Sequence, residues 1–154
     1  MEFNFILPNN KQFRSSLILL LIFVETQLII YEMGEFTDAG LSEITTHDEV
    51  KELIVTIRES NKNVDEDCIL DSTTLLKFYA FAIIVNKLLV SELDDIVIAL
   101  FKSKLPETYS YLDFALVRKA VLLCNNTILE VIKEQSHLLT GFNELNDWLN
   151  EIEI

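Results

Sequence analysis

The chain has very little with which to turn sharply. Glycine occurs only at Gly34, Gly40 and Gly141, and proline only at Pro8 and Pro106. A β-sandwich or barrel needs a turn roughly every 8–12 residues, built mostly from Gly, Pro, Asn and Asp. Loops that cradle phosphate need glycine as well. What remains is helix. Half of the 154 residues are apolar and ten are phenylalanine, so core material is plentiful and no disulfide or metal is needed to fold. A chain of this length reads as one domain, 1–154, and buries roughly 70% of the surface its unfolded form exposes.

Periodicity then places the helices. Residues 12–33 suit a Leu-rich helix closed by Gly34 as its C-terminal cap. Residues 17–24 form an unbroken apolar run, for which a buried strand is the competing reading. Thr46-His47-Asp48-Glu49 is a capping box. It opens a helix to about residue 60 with Val50, Leu53, Ile54 and Ile57 on one face. A polar loop follows over 61–67, then an apolar helix from a cap at Asp71 or Ser72 through Leu89. Ser91-Glu92-Leu93-Asp94 starts another, ending near Leu105-Pro106. Residues 111–137 carry a polar stripe of Lys119, Asn126, Glu130, Lys133 and His137, unless Asn125-Asn126 breaks the helix in two. Asn143 caps a last short helix with Leu145, Trp148, Leu149 and Ile152 inward. The expected fold is an all-α bundle of about six or seven helices. Residues 3–7 precede it as a short strand or an extended arm whose apolar side chains enter the core.

The apolar run at 17–24 imitates a membrane segment, but Glu25-Thr26-Gln27 interrupts it short of the roughly 20 apolar residues a span requires. The same tripeptide makes a poor signal-peptide cleavage site. A buried helix and a cytoplasmic protein are the expectation. Cys68 and Cys124 stand apart in apolar surroundings and read as buried free thiols.

Charge is the most informative feature. The net charge is −13, unevenly spread. Residues 25–71 hold thirteen acids against Lys51, Arg58 and Lys62, a net −10, while 72–142 balance to zero. Residues 143–154 add four acids and no base. Such a field repels nucleic acid and anionic lipid, whose binders present Lys and Arg. It attracts a basic protein and speeds its arrival. The plainer reading of the same charge is solubility.

Catalytic patterns are missing. His47 lies in the first turn of a helix, where the dipole disfavours its charged form and a structural or solvent role is expected. Glu134 and His137 have Glu-x-x-His spacing, but a di-iron bundle needs two such pairs and further glutamates, and no second pair exists. Asp65-Glu66-Asp67 and Asp71 lack the central glycine of an EF-hand loop and read as a solvated loop and helix cap. No metal, cofactor or catalytic residue is assigned.

In size, acidity and want of catalytic residues the chain resembles the small immunity proteins and antitoxins that bacteria use against secreted toxins, a likeness of composition that covers no aligned residues. It implies a protein that neutralises a basic, nuclease-type toxin by occupying its cationic substrate groove with carboxylates. The contact surface expected from the charge is Glu35, Asp38, Glu43, Asp48, Glu49, Glu52, Asp65, Glu66 and Asp67, with Tyr31 or Phe36 as aromatic anchors. Glu144, Asp147 and Glu151 on the final helix form a second surface, with Trp148 docking that helix to the core. A chaperone or Bcl-2-like module, holding an amphipathic segment in an apolar groove, is the alternative. A metal enzyme is the third, and elemental analysis of the purified protein would test it.

Overall fold

The structure, a computed structural model, describes residues 4–32, 40–62, 67–90, 95–105 and 114–136. Its elements run β1 (Asn4–Leu7), α1 (Lys11–Glu32), α2 (Leu41–Ile44), α3 (His47–Lys62), β2 (Cys68–Asp71), α4 (Ser72–Val90), α5 (Asp95–Lys104) and α6 (Phe114–Ser136). The architecture is a helical bundle with a two-stranded ribbon at its N-terminal end.

The order follows from α1. It touches every other described helix, and a helix surrounded in this way must be apolar on all sides. That is why residues 17–24 form an unbroken run, and why the run is helix rather than strand. By length and composition both α1 and α4 are apolar enough to cross a membrane, so the Glu25-Thr26-Gln27 interruption does not put α1 below that threshold as expected. In α1 that apolar surface is covered by protein along most of its length. Phe23 meets Phe101 of α5 edge-on, with ring centroids 5.4 Å apart.

Local chemistry sets the helix ends. Asn10 caps α1, its Oδ1 accepting from the Phe13 N–H at 3.1 Å. Thr46 caps α3 through the Glu49 N–H at 3.2 Å. The Glu49 carboxylate, however, reaches across to Lys77 of α4, so the ion pair draws on the side chain a capping box would turn back to its own cap. Asp71 caps α4 through the Thr74 N–H at 2.7 Å. α6 continues through Asn125-Asn126 without a break, and Lys119, Asn126, Glu130 and Lys133 are all exposed along it.

Two elements were not expected. α2 is a single turn entered from Gly40, whose φ of 93° lies in the left-handed region that glycine adopts without strain. β2 occupies the end of a segment that reads as loop and helix cap. It pairs antiparallel with β1 in the register Asn4–Asp71, Phe5–Leu70, Ile6–Ile69 and Leu7–Cys68. Phe5, Leu7 and Leu70 face the core, while Ile6 and Ile69 face solvent. The N-terminal segment is therefore a strand. The expected helix starting at residue 91 is described only from Asp95, and the final helix expected after Asn143 lies outside the described residues.

Candidate partner-binding surface

The acids singled out from the sequence fall into two groups. Glu43 lies in the first turn of α2, and Asp48 and Glu49 in the first turn of α3 with Glu52 one turn on. Carboxylates there face the positive end of the helix dipole, which favours them whatever their further use. Glu43, Asp48 and Glu52 are exposed; Glu49 is half-buried against Lys77. Asp67 is exposed but sits elsewhere, just ahead of β2. Glu35, Asp38, Asp65 and Glu66, the anchor Phe36, and Glu144, Asp147, Trp148 and Glu151 lie outside the described residues. Tyr31 is exposed on the last turn of α1.

The two groups occupy opposite ends of α3. The link runs through Arg14, a fully buried side chain. Its guanidinium donates to the Ser60 carbonyl in the last turn of α3 at 2.8 Å and to Asn9 Oδ1 at 2.9 Å. Asn9 lies two residues beyond Leu7, which pairs with Cys68, and Asp67 precedes Cys68. Asp67 therefore belongs to the C-terminal end of α3. Asp48 lies at the other end of a helix of 16 residues, about 24 Å long at 1.5 Å per residue. The exposed face between them mixes signs, with Lys51, Arg58 and a Glu59–Lys62 pair.

Not every acid of the 25–71 segment is at the surface. Glu25 is buried in α1, where its Oε1 accepts from Lys104 Nζ of α5 at 3.0 Å and lies 3.2 Å from His47 Nε2. Burial alone would raise the Glu25 carboxyl, but hydrogen bonds from Lys104 and His47, with their charges, hold it below the ordinary carboxylate value. His47 thus joins α3 to α1 in a structural role. The sequence signal for this cluster was the Glu25-Thr26-Gln27 interruption: polar residues on a helix buried all round must find partners inside the protein. Lys104, 79 residues away, had no such signal.

Cys124 is fully buried and Cys68 partly so, both as free thiols. Burial pushes the Cys124 thiol far up, which makes it unreactive. Among the described residues no three His, Cys, Asp or Glu side chains come together in a way that could hold a metal ion. Glu134 is exposed on α6, and His137 lies outside the described residues. Comparison with family models, curated proteins and solved structures finds no match to this chain.

Proposed function

We propose that this chain is an acidic inhibitor of the immunity-protein or antitoxin kind, which neutralises a basic, nuclease-type toxin by covering its cationic substrate site. The observation that carries the reading is the net −10 within residues 25–71. Glu43, Asp48, Glu52 and Asp67 support it by presenting exposed carboxylates on or beside regular elements of a packed bundle, where little backbone order remains to be created on binding. A groove built to hold phosphates offers Arg and Lys at spacings that carboxylates can satisfy with charge-assisted hydrogen bonds.

The test is capture on the immobilised chain at low ionic strength, followed by elution with rising salt and identification of what leaves. The expected result is a basic protein that elutes as salt screens the contact, and whose nuclease activity the free chain suppresses. A partner indifferent to salt and released only by detergent or denaturant would replace this reading with the apolar-groove module.

A further inference from the structure

Hydrogen-bond direction in the ribbon leaves one strand edge open. Ile6 of β1 donates its N–H to Gln135 Oε1 and accepts from Gln135 Nε2, each at 2.9 Å. Its backbone groups therefore point away from β2. In an antiparallel ladder bonded and non-bonded pairs alternate, so Phe5–Leu70 and Leu7–Cys68 are the bonded pairs and Ile6–Ile69 is not. By the same alternation the Ile69 N–H and C=O point outward from the far edge of β2. They have no partner among the described residues, and Ile69 is 59% exposed. A side-chain amide closes the β1 edge at Ile6; among the described residues the β2 edge at Ile69 has nothing on it.

The face beside that edge has a definite pattern. Side chains alternate along a strand, so exposed Ile69 shares a side with Asp67, exposed just ahead of β2, and with half-buried Asp71, whose Oδ1 also caps α4, while Leu70 turns into the core and Cys68 is half-buried. Ile6 lies directly opposite Ile69 and widens the apolar patch. The outward face thus reads acid, apolar, acid. A second copy of this chain would set the same acids against themselves, on molecules that each carry −13, and like charges facing each other across strands are unfavourable. A strand with the opposite order meets no such cost.

We infer that the outer edge of β2 takes up an extended segment of a basic partner, whose outward face reads basic, apolar, basic. The Ile69 N–H and C=O pair with its backbone, its apolar residue packs on Ile69 and Ile6, and its flanking cations face Asp67 and the carboxylate oxygen of Asp71 that does not cap α4. This is strand addition, in which backbone bonds give affinity and alternate side chains give selectivity. It rests on the reading of the chain as a binder of basic proteins and names where and in what form such a partner is held.

The probe is a short capped peptide alternating threonine with lysine, valine and lysine, titrated into the full chain by calorimetry at low salt. Two blocked forms accompany it. Ile69→Pro removes the outward N–H without touching the ladder to β1, as proline tolerates an edge position whose N–H faces solvent. The same peptide with N-methylated edge amides leaves the protein unaltered, so its result does not depend on how the variant folds. The inference expects binding to the parent chain that falls about tenfold or more with either block. It also expects binding to vanish when glutamate replaces lysine in the peptide. Salt-sensitive binding that neither block weakens overturns strand addition and leaves the basic-partner reading standing. No binding of the lysine peptide to the parent chain also overturns the inference, and the broader reading is then decided by the salt-gradient capture alone.

Discussion

Gln135 closes the edge of β1 as a peptide unit would. Its side-chain amide donates to the Ile6 carbonyl and accepts from the Ile6 N–H, each at 2.9 Å, across 129 residues of sequence. An amide side chain has the same donor and acceptor as a backbone group. One residue of α6 thereby satisfies both outward groups of Ile6 and holds the N-terminal ribbon against the last described helix.

Replacing Gln135 with Leu removes both bonds at a site that water can reach. We expect a loss of about 1–2 kcal/mol, seen as a lower urea midpoint with an unchanged slope. The bared edge should also raise self-association, measured by light scattering. An unchanged midpoint would mean that water replaces the amide fully.

The Glu25 cluster gives stability a pH signature. Glu25 releases its proton at a lower pH in the folded chain than the ordinary carboxyl value of 4.5. In the interval between the two values the unfolded chain binds more protons than the folded one, so stability falls on acidification there. The contribution is complete above about pH 4.5 and is lost as pH drops through the lower folded value. Glu25→Gln should flatten this limb of a denaturation series run against pH. Lys104→Met should cost about 1–3 kcal/mol at neutral pH by leaving a buried carboxylate with one partner fewer.

Arg14 is a fully buried cation, and its partners among the described residues are neutral oxygens, Ser60 O and Asn9 Oδ1. Ser60 O belongs to the last turn of α3, where the helix dipole is negative. Arg14→Met should destabilise by about 2–3 kcal/mol. Arg14→Lys should recover little of that, because an ammonium cannot span both acceptors as the planar fork does. Thermal melts of the two variants, read side by side, check both statements.

The two thiols should separate cleanly. Iodoacetamide under native conditions is expected to label the half-buried Cys68 and spare Cys124 until denaturant is added. Mass mapping of the labelled peptides decides it. Native labelling of Cys124 would require an opening of α6 that the packing does not provide.

Charge reversal tests the partner surface. Asp65→Lys, Glu66→Lys and Asp67→Lys together should lower affinity for a basic partner by about tenfold or more and reduce its salt dependence, with helical circular dichroism intact. Unchanged affinity would reduce this cluster to solubilising charge. The same reversal at Asp48 and Glu52 then reports on the opposite end of α3.

Much of the helix content was legible in the residues because it rests on local rules. Turn-forming residues are scarce, Thr46 and Asp71 are good caps, and the apolar positions of α3 recur at helical spacing; the structure has helices at each of these places. The all-apolar character of α1 was legible as burial, though not as contact with every other described helix. Individual acids such as Asp48 and Glu52 were found by composition, since charge needs no fold to be counted.

What tertiary structure alone decided is of another kind. Cys68-Ile69-Leu70-Asp71 is too short to show a period, and it becomes a strand because β1 lies beside it, more than 60 positions earlier in the chain. Glu25 counts as negative charge in the sequence, yet Lys104 and His47 take it out of the surface field. Gln135 is an unremarkable helix residue until Ile6 arrives at its side chain. Helix formation depends on neighbours within four positions, which a sequence displays. Strand pairing, buried ion pairs and the division of the acids between two ends of α3 depend on residues brought together by packing, and only the folded chain holds that information.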